Sequence, residues 1–493
     1  PLGIPCIMDR LIQQCFRQVL EPIMEARFYK HSYGFRPLRS THHAMARVQF
    51  LINQASLHYV VDIDIKGFFD NINHSLLIKQ LWNIGVKDRM VLACISKMLK
   101  AEIDGEGRPT KGAPQGGLLS PLLSNIVLND LDQWVANQWE FFPLNKPYKT
   151  REGERYAKKR TNLKEGYLVR YADDFKILCR DWKTAQKWFH AVRSYLKERL
   201  KLDISPEKSK IINLRKRESD FLGFTIRANT KGNKRVAHTG IKTSKSQKLK
   251  AEIKRYVQKI KTSPTAQNAL LFNSFVLGIH NYFSRATHVN IEFSRLAYDV
   301  RTFIYNCLKS VGKYEHPLNP PPAYKKFYKS GYRTFKVANV YLFPIADIKT
   351  KNAMNFSQHI SPYTVEGREH IHKQLRVDIQ FQISLLMKST IPTRSVEYMD
   401  NRISRYSMKM GQCEITGIFL QASDVHCHHY IPLHLGGDDS FNNLRIIHKD
   451  IHMAIHQTNQ QAIKSRLMDF ANDKSVINKL NKYREKCGLE SIK

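Results

Sequence analysis

Two strand-like runs that carry clustered acids constrain the fold more than any other feature. HYVVDIDIKGFFD (58–70) and VRYADDFKIL (169–178) are built from β-branched and aromatic residues, yet they hold Asp62, Asp64, Asp70 and the adjacent pair Asp173 and Asp174. Like charges brought together in a fold repel, so these runs need compensating positive charge. Asp62 and Asp64 lie two apart and share one face of a strand. Asp173 and Asp174 fall where a hairpin would bend. Either acidic pair alone reads as a turn. A carboxylate strand and a carboxylate hairpin in one basic protein point instead to divalent cations, and Mg²⁺ takes carboxylate and phosphate oxygens together. Two such ions suit phosphoryl transfer. Strand alternation does not choose between Asp62 and Asp64 as the ligand.

The chain has 79 Lys and Arg against 43 Asp and Glu, a net charge of +36. Such an excess repels itself unless a polyanion compensates it. Nucleic acid fits best, with binding that weakens steeply in salt. Solubility alone, or an anionic membrane surface, is the other reading. No run of about 18 apolar residues is present, so no membrane span is expected. The eight cysteines are scattered without a CxxC pair, which argues against a disulfide scaffold and for a reducing compartment. The opening PLGIP shows no signal-peptide pattern.

Helical spacing over 8–27 puts Leu11, Ile12, Cys15, Phe16, Val19 and Ile23 on one apolar face. Further helices are expected at 75–100, in LLSPLLSNIVLNDLDQWV (118–135) and at 184–201, with a short strand at 221–227. Residues 142–165 read as a basic loop. Between Ala228 and Lys261 stand eleven Lys or Arg and one acid, Glu252. Leu249, Ile253, Tyr256, Val257 and Ile260 keep an apolar stripe there. Lys248, Lys254, Arg255 and Lys259 then form a basic face suited to RNA.

YADD, preceded by GFRPLRS (34–40), DIDIKGFFDNINH (62–74) and GAPQGGLLSPLLSNIVLNDLD (112–132), resembles the reverse transcriptase of mobile group II introns over about 1–230. The resemblance implies an α/β right-hand polymerase. Fingers and palm would span 1–235, with an N-terminal extension missing. An α-helical thumb or maturase domain would span 236–340, and a basic DNA-binding region 341–410. By the same resemblance Asp64, Asp173 and Asp174 are the catalytic ligands of two Mg²⁺ ions, and Asp62 is a neighbour. Arg36, Lys66 and Gln115 would contact the incoming dNTP. Phe69 would act as steric gate against a ribose, although a core phenylalanine is its plainer reading. Lys208 resembles the general acid for pyrophosphate, and FLG (221–223) the primer grip. A surface lysine and a core strand are the plainer readings of those two. GIHNYFSRA (278–286) resembles a thumb pattern in which Asn281 and Tyr282 serve either RNA contact or packing.

The last segment is dense in histidine: residues 413–456 hold seven of the twenty. HH…P…GG…N…H…H resembles an HNH, or ββα-metal, nuclease module over 411–493. That resemblance makes His429 the general base, His428, His452 and His456 the ligands of one divalent ion, and Asn443 the residue that holds the loop. Relatives of this kind carry four cysteines for a structural zinc. The matching positions here are Cys413, Thr416, His448 and Ile451, so the zinc is expected to be lost, with Cys413 and His448 in the core. A site rebuilt with Cys427 or His426 is the alternative. Arg394, Arg402 and Arg405 would contact target DNA. Together the resemblances imply a protein that binds its intron RNA, promotes splicing, nicks double-stranded DNA and copies RNA from the cut end, in a bacterial cytoplasm or an organelle. A maturase that only folds RNA, or a reverse transcriptase of a defence system, is the competing expectation.

Overall fold

The computed structural model describes residues 5–102, 107–114, 116–328, 331–372, 377–389, 391, 393–468, 470 and 474–492. They fall into two compact units, residues 1–358 and 359–493.

The first unit begins with α1 (Ile7–Glu25), α2 (Thr41–Asn53) and β1 (Tyr59–Ile63). Helices α3 (His74–Ile84) and α4 (Arg89–Leu99) follow, each N-capped by a side chain, Asn73 and Asp88. Then come α5 (Ser120–Asn137), buried along most of its length, and α6 (Arg151–Lys159). Helix α6 corrects the expected loop. The Thr150 cap, acids in its first turn and lysines in its last complement the helix dipole, and buried Lys158 ties the helix down by donating to the Trp139 and Glu140 carbonyls.

The hairpin strands β2 (Tyr167–Tyr171) and β3 (Asp174–Cys179) are followed by α7 (Trp182–Tyr195) and β4 (Lys210–Asn213). The four strands form an antiparallel sheet in the order β2-β3-β1-β4. Alternation sends its side chains into two cores. Val61, Ile63, Phe175 and Ile177 pack with α3, α4, α5 and α7. Val60, Val169, Leu178 and Ile212 pack on the other side with α2 and later elements. Asp62 and Lys176 lie directly opposite each other on that second row.

Strands β5 (Ser219–Phe221), β6 (Phe224–Lys231) and β7 (Lys234–Ile241) make a second sheet. β7 carries no strong apolar alternation; backbone pairing from Phe224↔Ile241 to Lys231↔Lys234 sets it. Helices α8 (Thr243–Thr262), α9 (Ala266–Phe283) and α10 (Val289–Leu308) join the second core through Leu249, Ile253, Phe272, Val276, Phe293 and Val300. β8 (Lys313–Glu315), α11 (Pro322–Phe327), β9 (Thr334–Val337) and β10 (Val340–Tyr341) complete the unit. Helix α1 forms as its periodicity predicts, but Leu11, Ile12, Val19 and Ile23 face solvent, and Leu20 and Met24 carry the packing.

The second unit contains α12 (Val365–His372), α13 (Val377–Lys388) and α14 (Val396–Met408), then β11 (Val425–His429), β12 (Leu444–His448) and α15 (Lys449–His456), then α16 (Gln460–Leu467) and α17 (Lys474–Lys486). Leu386, Tyr398 and Tyr406 share one core with Ile446, Ile451 and Ile455. The division at 358/359 therefore falls inside the 341–410 segment, and α13 and α14 belong to the ββα core. Among the described residues no helix is long and apolar enough to cross a membrane.

Candidate active sites

Asp64 follows the end of β1, Asp173 lies in the β2–β3 turn, and Asp174 opens β3. Because Ile63 pairs with Phe175, the first carboxylate arrives beside the other two. Burial pushes the Asp173 carboxyl up, and the charges of Asp174 and Asp64 push it in the same direction. The backbone of Asp64 is clamped from both sides: its N–H donates to Ser209 Oγ at 3.1 Å and its carbonyl accepts from Ser205 N at 2.8 Å. That loop also brings Lys208 Nζ to 3.7 Å from Asp64 Oδ2.

Asp62 and Asp64 differ in their partners, through a residue that the strand pattern does not reveal. Lys176, 3% exposed, bonds Asp62 and lies 3.4 Å from Asp174 Oδ1. Its ammonium also sits 5.4 Å from the centre of the Phe221 ring. Asp62 is thus consumed by a buried pair, whereas the Asp64 side chain is 44% exposed. A lone lysine in an apolar strand, two residues after an Asp-Asp turn, was the available signal.

The turn itself is held from behind. Arg170, fully buried, forks onto Asp132 at 2.6–2.9 Å and donates to Asn125 Oδ1 at 2.9 Å and the Ala172 carbonyl at 2.8 Å. Gly34 lies so close that a Cβ there would stand 2.2 Å from Ala172 N. Only glycine permits that approach.

One expected nucleotide contact, Arg36, is placed differently. Arg36 is not presented to a ligand: its guanidinium forks onto Glu25 at 2.8 and 2.9 Å and donates to the Tyr29 and Ser32 carbonyls. Its donors are spent fixing the 29–36 loop. Lys66 is exposed just beyond β1. Phe69 is half-buried, with ring contacts to Phe35 and Phe68. Gln115 lies outside the described residues. In FLG, Phe221 is buried and Leu222 and Gly223 form the turn into β6. Tyr282 donates from its hydroxyl to the Leu222 carbonyl at 2.8 Å and stacks on Phe224, so its role here is packing. Lys248, Lys254, Arg255 and Lys259 all lie on the exposed face of α8, with Arg255 paired to Glu252.

In the second unit β11, β12 and α15 bring His428, His452 and His456 together, with candidate ligand atoms all within 4.8 Å of one another. His428 is 2% exposed and its Nε2 has no hydrogen-bond partner. Burial, then the neighbouring His452 and His456, pull its pKa down to about 3. His429 Nε2 meets Asp439 Oδ1 at 2.8 Å, and Asp439 also accepts from Ser395 Oγ at the start of α14. Asp439 was also missed; its only signal was an acid just after the Gly-Gly turn. Asn443 spans the loop, accepting from Ile431 N and donating to the Ile431 and Asp438 carbonyls at 2.8–2.9 Å.

Two of the three arginines expected on DNA are internal. Arg402, 4% exposed, donates to the Leu386 and Ser389 carbonyls. Arg405 forks onto Glu414 at 2.9 and 2.8 Å and donates to the Phe441 carbonyl. Both tie α14 to its neighbours. Arg394 alone is exposed, over the Tyr398 ring. Cys413 is buried, while His448 is partly exposed and N-caps α15 through Asp450 N, not a core residue as expected. Cys427 is buried, and His426 contacts His452.

This antiparallel sheet, with carboxylates gathered at one end, fits a right-hand polymerase fold. Residues 1–226 match the reverse transcriptase (RNA-dependent DNA polymerase) family. The chain is 32% identical over 377 residues to the group II intron-encoded protein LtrA of Lactococcus lactis subsp. cremoris, covering 63% of this chain and 62% of that protein. It is 32% identical over 225 residues to protein YkfC of Escherichia coli (strain K12), covering 43% of this chain and 59% of that one. Nuclear intron maturase 2 of Arabidopsis thaliana is 27% identical over 177 residues, with 27% and 24% covered. The chain is thus similar to the reverse transcriptase family over residues 1–226 and to an intron-encoded protein over a longer stretch, and it spans less than two thirds of the length of the curated relatives it matches.

Proposed function

We propose that the chain is an RNA-directed DNA polymerase of a mobile group II intron that also binds the intron RNA and nicks target DNA. The convergence of Asp64, Asp173 and Asp174 inside the region matching reverse transcriptases carries the polymerase reading. The three offer only carboxylate oxygens, and their mutual repulsion fits them to hold Mg²⁺. When bound, Mg²⁺ supplies charge stabilisation to the attacking and leaving oxygens of nucleotidyl transfer. Lys208 reaches the same site from an exposed turn, where its Nζ–H can protonate the departing pyrophosphate. Phe69 offers an aromatic edge to the dNTP sugar. Relatives named as intron-encoded proteins and maturases support RNA binding and splicing assistance, with the exposed lysines of α8 as the contact face.

The endonuclease reading rests on the second unit. The orphaned Nε2 of His428, together with His452 and His456, fits a divalent ion, which when bound would stabilise charge on a DNA phosphate. A carboxylate only accepts, so Asp439 fixes the proton of His429 on Nε2 and leaves Nδ1 as the base that takes a proton from water. Of the three arginines expected on target DNA, Arg394 is the exposed one.

Primer extension on an RNA template with Mg²⁺ and dNTPs tests the polymerase. The wild type is expected to extend the primer, and Asp173→Asn to lose at least about 10²–10³-fold of the rate while RNA binding stays. Equal extension by the variant would remove the carboxylate cluster from the chemistry.

A further inference from the structure

Helices α9 and α10 and the sheet of β8, β9 and β10 enclose a cleft of about 420 Å³ that the polymerase chemistry does not use. Its volume lies in the range of small-ligand sites. Six aromatic side chains line it, and three of these rings touch one another. Tyr305 and Tyr314 meet edge-on with centroids 6.0 Å apart, and each touches Phe335, at 6.0 and 5.0 Å. Phe335 is buried, but Tyr305 is 50% and Tyr314 41% exposed. The rings are thus fixed at one edge and open at the other. Two guanidinium groups line the cleft as well. Arg301 lies 4.0 Å from the centre of the Tyr298 ring, and Arg333 lies 4.9 Å from that of Tyr314. Among the described residues no carboxylate lines the cleft.

Flat apolar walls with unneutralised arginines match a ligand that is flat, aromatic and joined to an anion. A nucleotide meets all three conditions: its base stacks on tyrosine or arginine and its phosphate takes the guanidinium. Arg333 donates to the Tyr314 carbonyl at 3.3 Å, but a purely apolar peptide would bring neither cation an anion, and a lipid surface is not concave. We propose that this cleft receives an unstacked nucleobase of a single-stranded RNA segment, with Arg301 and Arg333 on the flanking phosphates. The inference rests on the RNA-binding reading above and adds to it a pocket that selects unpaired bases.

Photo-crosslinking of the full chain to a short single-stranded RNA bearing 5-iodouridine, followed by peptide mapping, tests it. Crosslinks at Tyr305 or Tyr314 are expected, and Tyr305→Ala/Tyr314→Ala should abolish them. The double variant should bind the RNA about 5- to 100-fold more weakly, with primer extension on an unrelated template unchanged. Should that variant misfold, an abasic site in place of the 5-iodouridine must weaken wild-type binding by a similar factor. Crosslinks confined to residues 1–262 would overturn the cleft and leave RNA binding standing. Crosslinks nowhere would overturn both. Crosslinking to the matching DNA but not the RNA would overturn the RNA assignment, and no loss with the abasic RNA would overturn base recognition.

Discussion

Lys176 shows how one residue can settle a question the strand pattern leaves open. It pairs with Asp62, while the Asp64 side chain stays 44% exposed. Lys176→Met would strand a buried carboxylate and is expected to cost about 3–5 kcal/mol, whereas Asp62→Leu/Lys176→Met should recover most of that. Urea denaturation of the three proteins measures it, and equal losses in single and double variants would deny the pairing. His429 is the corresponding residue in the second unit. Under the proposed endonuclease role, His429→Ala is expected to lower nicking by about 10²–10⁴-fold and leave primer extension unchanged. Nicking at the wild-type rate would move the base elsewhere.

Elements are placed here by buried polar clamps as much as by apolar stripes. Arg170 on β2 reaches Asp132 on α5 and holds the carboxylate turn, and Arg405 on α14 reaches Glu414 beside β12. Because Arg405 fills an internal pair, Arg405→Ala should destabilise the second unit by about 3 kcal/mol. Hydrogen exchange across residues 359–493 reads that loss. A drop in DNA affinity with unchanged protection would return Arg405 to the DNA surface. Helices such as α5 and α8 were legible because their apolar residues recur at helical spacing. The β6–β7 hairpin was not, since β7 owes its pairing to backbone hydrogen bonds that leave little mark on composition.

The whole chain carries a titration signature. Burial holds His43, His58, His280 and His452 at about 4 and His428 at about 3. In the unfolded chain these imidazoles titrate near 6.5. The unfolded state therefore binds more protons between those values, and the stability present above about pH 6.5 drains away as the pH falls toward 4. The carboxyls of Asp62 and Asp173, which burial pushes up, act the other way in the carboxylate range. Urea midpoints at pH 7.5 and pH 5 should differ, the lower at pH 5. A flat profile would mean that these histidines are not held neutral. The net charge of +36 adds a salt dependence to any nucleic-acid complex but says nothing of which face binds.

The sequence by itself determined the chemistry available: carboxylates on a strand and at a turn, and histidines one helical turn apart beside a second histidine pair. These are local patterns, and alternation and helical spacing translate them into geometry without knowledge of the rest of the chain. Tertiary structure alone decided which charged groups face a ligand. Arg36, Arg402 and Arg405 are indistinguishable in sequence from surface cations, yet each finds buried oxygens, two of them a carboxylate. Lys176 meets Asp62 across 114 residues and Tyr282 meets Leu222 across 60. A charge can stay buried only where such a partner waits, and the partner is supplied by the fold.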